Sequence, residues 1–362
     1  MTLGVAIVGC GKIADGHVEE IQKMPEVARV TAVCDLELLM AEQLAVRYGI
    51  AAHYDSFERM LAAERPDVVH ITTPPGSHLA LASMAMDAGC HVYVEKPLTP
   101  TAADTRALVE RAQASGKKLT VGYTYLFDPP ALAMRELVRA EVLGEPVHVE
   151  SFYGYDLSGA FGAALLSDAG HWVHRLPGKL LHNNIDHLFN KLVEFIDDDQ
   201  PEIIARGFVR RTVRFGDERD RMHDELRLMV NGQRVSAYGT FSAHVRPGMH
   251  LCRVYGTRNT ATVDYSARTV TLERTSSLPS AVGRLVPAFE RALQLAREGA
   301  RNVIRFARSD FHFFAGLNHL IAAYYRSILD DGPPPIPYRD MVRIAVMMDD
   351  VFAQLAQRDA RA

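Results

Sequence analysis

The chain has 362 residues, 48% of them apolar, and a net charge of -4. That length can bury two cores rather than one, and the charge lacks the basic excess that binding a nucleic acid requires. Four cysteines, at 10, 34, 90 and 252, are too scattered for a disulfide framework or a Cys-x-x-Cys metal site, so a reducing cytoplasm is the expected setting. With no basic-then-apolar leader and no apolar run of membrane-spanning length, an unexported chain without a transmembrane segment is expected.

Residues 3–8 are a near-continuous apolar run, the pattern of a strand covered on both faces, and they lead into Gly9-Cys10-Gly11-Lys12-Ile13-Ala14. In this fingerprint Gly9 permits a tight turn, Gly11 lets a pyrophosphate approach the backbone, and Ala14 lets the following helix lie close to the strand. The helix amino terminus offers N–H groups to the phosphates, so Gly9, Gly11, Lys12, Ile13 and Ala14 form the expected cofactor-binding turn. Residues 13–24 fit that helix, stopped by Pro25, and residues 30–34 fit a second strand ending at Asp35. Asp35 lies 21 residues past Ala14. A carboxylate there accepts hydrogen bonds from ribose hydroxyls and repels a 2'-phosphate, which points to NAD rather than NADP. As an N-cap for a helix over 36–48 it would serve structure instead, and the two roles can coexist.

The alternation continues with a helix over 56–63, a strand over 68–72, a helix over 77–88, a strand over 92–94, a helix over 101–115 and a strand over 119–121. Strict alternation implies parallel βαβ units, hence a doubly wound parallel sheet in an α/β protein. Pro97 forbids continuation of the 92–94 strand and so delivers Glu95 and Lys96 at its carboxyl end, where open parallel sheets bind ligands. An amine desolvated there can exchange a proton with a substrate hydroxyl near neutral pH, which makes Lys96 the candidate acid/base. The plainer alternative is a surface Lys-Pro turn.

Gly9-x-Gly11-x-x-Ala14, Thr73-Pro74-Pro75-Gly76-Ser77-His78 and Glu95-Lys96-Pro97, in this order and spacing, resemble the Gfo/Idh/MocA oxidoreductases, the family named for glucose-fructose oxidoreductase and inositol dehydrogenase. The resemblance implies an N-terminal Rossmann domain, here residues 1–122, and a C-terminal α/β domain with an open, mostly antiparallel sheet, here residues 123–362. It further implies a nicotinamide cofactor lined by Thr73, Pro74 and His78, with Glu95 beside the nicotinamide ribose. By the same resemblance Lys96 assists hydride transfer at a sugar or cyclitol carbon. Pro75 stands where the family commonly has asparagine, and Leu126 where it often has arginine.

Beyond the hinge, Tyr123 and Tyr125 fall on one side of an extended segment, and either present hydroxyls to a substrate or pack the junction. A helix over 129–140 and a strand over 145–155 follow. Residues 156–178 form the least regular stretch and hold the chain's one tryptophan. Long irregular loops are commonly functional, so Asp168, His171 and Trp172 are expected substrate contacts, with an anchored surface loop as the alternative. Residues 180–195 align with the family's Gly-Gly-x-x-x-Asp-x-Gly-x-His-x-x-Asp segment in two registers. In the preferred one His187 takes the histidine position and Asn183 that of the first aspartate, which keeps the apolar phase of Leu188, Leu192 and Phe195. Asn183 then orients substrate without titrating, Lys96 and His187 handle the proton, and 183 and 187 share a helix face. In the other register the pair is His182 and Asp186. The many histidines invite a metal reading, but nothing matches His-Glu-x-x-His and no metal is expected.

Successive strands over 202–214, 225–230, 234–242, 250–255, 260–264 and 268–273 make a broad sheet, with Asn231-Gly232 a strong hairpin turn. One face covers the domain's helices and the other can meet a second subunit, so a homodimer or homotetramer is expected. Residues 280–310 combine an apolar stripe with Arg301, Arg305 and Arg308 on one face; they either extend the fold or meet an anionic membrane, a partner or a phosphorylated substrate. Helices over 316–329 and 341–355 end the reading. The function expected is an NAD-dependent dehydrogenase or reductase acting on a secondary alcohol or ketone of a sugar, cyclitol or nucleotide sugar. A non-catalytic NAD-responsive regulator, and an NAD-using glycosidase or epimerase on the same scaffold, are its rivals.

Overall fold

In the computed structural model, which describes residues 2–215, 218–276, 278–308, 311–312 and 314–361, the first part of the chain alternates strand and helix. The elements are β1 (Leu3–Val8), α1 (Lys12–Gln22), β2 (Ala28–Cys34), α2 (Leu38–Tyr48), β3 (Ala52–Tyr54), α3 (Phe57–Glu64), β4 (Val68–Ile71), α4 (His78–Asp87), β5 (His91–Val94), α5 (Ala102–Ser115) and β6 (Leu119–Val121). All six strands are parallel, in the order β3-β2-β1-β4-β5-β6. The order reverses between β1 and β4, where a doubly wound sheet opens its ligand crevice. Strand β3 was not anticipated: three residues at a half-exposed edge carry no apolar run.

Register places the chemistry. Cys34 pairs with Val8, Val8 with Ile71, Ile71 with Val94 and Val94 with Val121. The next residue of each strand therefore emerges along one rim, which brings Asp35, Gly9, Thr72, Glu95 and Gly122 into a row.

The later elements are α6 (Pro129–Arg139), β7 (Pro146–Asp156), α7 (Ala160–Ser167), α8 (Lys179–His182), α9 (Asp186–Leu192), β8 (Glu202–Phe208), β9 (Val213–Phe215), β10 (Glu218–Asp220), β11 (Glu225–Asn231), β12 (Ser236–Ser242), β13 (His244–Gly256), β14 (Asn259–Asp264), β15 (Thr269–Arg274) and α10 (Ser280–Ala307). Seven of these strands form one sheet, β15-β14-β13-β7-β12-β11-β8, antiparallel except where β7 lies parallel to β12. Helix α9 packs against β7 and β12. Leu226, Leu228, Val230, Ala237, Phe241, Cys252 and Val254 are buried in this unit, while Ile204 and Tyr238 stand exposed. The expected strand over 202–214 is broken after Phe208 because the buried Asp224 carboxylate accepts the N–H groups of Arg210 and Arg211, each at 2.8 Å. Residues 156–178 are more regular than expected, since α7 lies within them.

The chain divides into two compact units, one of Met1–Thr124 with Gly316–Ala345, the other of Tyr125–Ala315 with Val346–Ala362. The first unit is completed by later chain, so it is not one continuous segment. Helix α11 (Ala315–Leu329) and the start of α12 (Tyr338–Asp359) return to it. The reason is the edge strand β6, whose outer backbone groups need partners. Tyr324 donates its hydroxyl hydrogen to Lys118 O at 2.8 Å, Leu119 N–H donates to the Tyr338 hydroxyl at 3.0 Å, and the Lys118 ammonium donates to Ser327 O at 2.8 Å and Gly332 O at 2.5 Å. Charge-assisted bonds of this kind each stabilise by about 1.5–3 kcal/mol. Lys118→Met should lower the unfolding free energy by about 1–3 kcal/mol, read from urea denaturation.

Candidate active site

On the rim of the first unit, Gly9 has a φ of 92°, the left-handed region, and a Cβ there would lie 2.7 Å from the Thr73 methyl and 2.9 Å from the backbone of Thr72 and Thr73. Gly11 is different. Its φ is ordinary, and a Cβ would meet nothing within 4 Å, so its missing side chain serves open space above the turn rather than packing. Gly11 also caps α1 without any side-chain hydrogen bond, which leaves the helix amino terminus facing that space. Ala14 is fully buried beneath it. An uncapped helix terminus under an open glycine is a fit cradle for a pyrophosphate.

Asp35 accepts Cys10 N–H at 2.7 Å on one oxygen and Glu37 N–H at 3.0 Å on the other. It therefore braces the glycine turn and the entry to α2. A carboxylate has about four acceptor positions, so ribose hydroxyls can still be met. Thr73 and Ser77 share a hydroxyl hydrogen bond of 2.7 Å, and the Ser77 hydroxyl donates to Pro74 O at 2.9 Å. His78 is buried, with Nδ1 at 2.9 Å from Leu98 O and Nε2 at 2.7 Å from Thr73 O. Burial lowers its pKa against the pull of those carbonyls. It ties the Thr73 turn to the chain after Pro97.

Glu95 is confined on two sides. A Cβ on Gly122 would stand 2.7 Å from its Oε1, and the same oxygen lies 3.0 Å from His17 Nε2. Its other oxygen accepts Lys96 N–H at 3.2 Å. Behind His17 runs a buried chain: His17 Nδ1 to His70 Nδ1 at 2.8 Å, then His70 Nε2 to the Tyr325 hydroxyl at 2.8 Å. His70, stacked on Tyr93 with centroids 4.7 Å apart, is held well below its usual pKa by burial and then by His17. With Glu95 ionised, one arrangement of neutral rings satisfies every contact. Tyr325 donates to His70, His70 donates through Nδ1–H to His17, and His17 donates through Nε2–H to Glu95. Lys96 itself is half-buried at the end of β5. Sequence reasoning passed over His17, His70 and Tyr325. The available signal was a histidine inside the apolar run Val68-Val69-His70-Ile71, since a buried polar group needs a partner.

In the second unit, Tyr125 lies in a short 3-10 turn over Thr124–Phe127, not in an extended segment, so it and the buried Tyr123 do not share a strand face. The helix expected through 180–195 is interrupted: Asn183 ends α8 and Ile185 begins α9. Asn183 and His187 thus do not sit on one continuous helix face. His182 is buried with its ring stacked on Phe352, centroids 5.0 Å apart. Asp186 is buried and its Oδ1 accepts His187 N–H at 2.9 Å. Asp168 is exposed and accepts Gly170 N–H at 2.8 Å. His171 stacks on Trp172 at 5.5 Å and caps the following turn by accepting Val173 N–H. These are turn-stabilising roles that leave the indole half-exposed.

His187 belongs to a cluster that the sequence did not announce. Tyr125 and Tyr153 each meet its ring edge to face at 4.9 Å, and both also touch His250, at 4.2 and 4.9 Å. His250 stacks on Tyr265 at 4.4 Å. Lys191, one helical turn beyond His187, is fully buried; its amine donates to His187 O and lies 2.6 Å from His250 Nε2 and 5.5 Å from the Tyr265 centroid. Burial pushes Lys191 down to about 7 and His250 well below its usual range, so neutral His250 can accept from the amine. Among the described residues, no three His, Cys, Asp or Glu side chains gather as a metal site would require.

The chain is similar to known proteins in sequence and in fold. A family described as "Oxidoreductase family, NAD-binding Rossmann fold" matches residues 3–123. D-glucoside 3-dehydrogenase of Escherichia coli (strain K12) is 37% identical over 143 residues, 40% of this chain and 41% of that protein. Inositol 2-dehydrogenase/D-chiro-inositol 3-dehydrogenase of Shouchella clausii is 32% identical over 184 residues, 48% of this chain and 53% of that one. The chain thus spans about half the length of these curated relatives or less. Two solved structures are similar in fold across both units. An NAD binding oxidoreductase from Klebsiella pneumoniae has a TM-score of 0.81 at 19% identity, covering 99% of this chain and 97% of that one. The WlbA dehydrogenase from Bordetella pertussis, in complex with NADH and UDP-GlcNAcA, has 0.78 at 15%, covering 99% and 96%.

Two outcomes follow from this geometry. Gly11→Ala should fold with stability within about 0.5 kcal/mol of the parent yet weaken NAD binding about tenfold or more, whereas Gly9→Ala should lose about 2 kcal/mol or more of stability; calorimetric titration and melting curves separate the two. Lys191 stays charged in the unfolded chain up to its ordinary value of 10.5 but titrates near 7 when folded. The unfolded state therefore binds more protons between those values, and this group makes stability rise with pH across that window. Urea melts between about pH 7 and pH 10 should show a shallower rise for Lys191→Met than for the parent.

Proposed function

From the premise that this chain belongs, through residues 3–123, to the Gfo/Idh/MocA oxidoreductase family, we propose that it is an NAD-dependent dehydrogenase of a secondary alcohol in a sugar, cyclitol or nucleotide-linked sugar. The observation that carries this reading is the row of strand ends in which Glu95 leaves β5 level with Gly9 leaving β1, so that Lys96 stands one residue past a pinned carboxylate. Gly9, Gly11, Lys12, Ile13 and Ala14 would hold the pyrophosphate, Asp35 the adenosine ribose, and Thr73, Pro74, His78 and Glu95 the remainder. Bound nicotinamide supplies the hydride acceptor or donor.

When a carbinol carbon loses a hydride its hydroxyl must lose a proton, and Lys96 is the side chain assigned to take it. The neutral amine becomes ammonium in oxidation and returns the proton in reduction. Glu95, fixed by Gly122 and His17, offers a negative charge beside the ammonium so formed. From the second unit we assign His187 as the further proton-handling group and Asn183 as an orienting amide, with Tyr125, Asp168, His171, Trp172 and Asp186 as substrate contacts. Support for His187 is its place between two tyrosine ring edges, which fixes the imidazole plane. The stacking of His182 on Phe352 speaks for that register over the one that uses His182. The relatives named for glucosides and inositols support a polyhydroxylated substrate. The exposed Ile204 and Tyr238 on the seven-stranded sheet support self-association as a homodimer or homotetramer through that sheet.

A panel of glucosides, inositols and UDP-sugars, followed by NADH absorbance, tests the reading. Lys96→Ala should lower turnover on the active substrate by about a hundredfold or more with NAD affinity nearly unchanged. Binding of NAD without turnover on any member of the panel would instead leave an NAD-responsive binding protein.

A further inference from the structure

Helix α10 docks the wrong way round for a globular helix. From Gln294 onward the residues it turns toward its own unit are Gln294, Glu298, Asn302 and Arg305, a polar stripe at helical spacing, while nearer its start Gly283 and Val286 are half-buried. Gln294 pairs with the Leu272 peptide as a neighbouring strand would, accepting its N–H at 2.7 Å and donating to its carbonyl at 2.9 Å. Asn302 donates to Ala267 O at 3.0 Å, and Arg291 pairs with Glu273. The helix thus covers the edge strand β15 through polar side chains. Its apolar stripe faces away: Leu285 is 65% exposed, Phe289 75%, Leu293 52%, Val303 69% and Phe306 72%. At 1.5 Å per residue this stripe runs about 30 Å along one side.

We propose that α10 lies flat on an anionic lipid surface, with this stripe among the acyl chains and Arg284, Arg297 and Arg308 on the phosphates. Three observations select that occupant. Between Ser280 and Arg308 six arginines stand against two glutamates, although the whole chain carries a net charge of -4. Arg284, Arg297 and Arg308, all exposed, project to either side of the apolar stripe, where lipid headgroups would lie. A second copy meeting the open sheet face would instead touch Arg291 and Leu295, which line the hollow over that face together with Ile204 and Tyr238, whereas Leu285, Phe289 and Val303 do not line it. The helix lies on the membrane rather than crossing it, because among the described residues no helix is long and apolar enough to span one. Ser309 and Asp310, which follow it, lie outside the described residues.

The test is co-sedimentation of the full chain with phosphatidylcholine vesicles with and without phosphatidylglycerol. The expected result is binding that requires phosphatidylglycerol, weakens with added salt, and falls about tenfold or more in the pair Leu285→Glu, Phe289→Glu. The pair Arg284→Gln, Arg297→Gln should weaken binding without altering the melting temperature. A chain that stays in the supernatant with both vesicle types, or sediments equally after either pair of substitutions, would overturn the proposal. So would a glutamate pair whose main effect, by analytical ultracentrifugation, is to dissociate an oligomer, since that would assign the stripe to a second copy.

Discussion

A carboxylate with nowhere else to go sets the geometry of the dinucleotide unit. Glu95 is pressed against a glycine that has no Cβ to give it room, receives a proton donor from a buried histidine, and accepts the N–H of the lysine that follows. An ionised group half removed from water is tolerated only with such partners. The partners must in turn be fixed, and the Tyr325–His70–His17 series does so from inside the fold, each neutral group oriented by the next. The position of Lys96 is thus a consequence of packing several residues deep rather than of its own short strand.

The second unit reaches its order differently. Around His187 the surroundings are mostly rings, and Tyr125 and Tyr153 meet it edge to face, which fixes the imidazole plane without demanding charge. Lys191 is buried so completely that its proton is held loosely, and it is placed by a backbone carbonyl and His250. One unit constrains by hydrogen bonding to a carboxylate and the other by aromatic packing about imidazoles.

What could be read in the sequence follows from how local each signal is. The Gly9–Ala14 turn, the Asp35 position and the Pro97 stop are written within a few residues, and all lie where expected on the strand ends. Parallel strands covered on both faces announced themselves as apolar runs, while β3, short and at an edge, did not. The helix break at Asn183–Ile185 was invisible because apolar spacing continues through it. Tyr123 and Tyr125 were misplaced on one face because alternation in four residues does not distinguish a strand from a 3-10 turn. His17, His70 and Tyr325 are separated by 53 and 255 residues, and no local pattern links them. The inverted docking of α10 was equally hidden, since an amphipathic repeat says that two faces differ, not which one meets the protein.

The return of Gly316–Ala345 to the first unit has a consequence for the order of synthesis. A ribosome releases all of Tyr125–Ala315 before the residues that seal β6 and supply Tyr325 exist outside it. The nucleotide-binding half therefore waits, with an open sheet edge and a half-built histidine series, while its neighbour is still being made. Grafting the first 124 residues onto a foreign partner would transplant the glycine turn without the tyrosine that orients its buried rings.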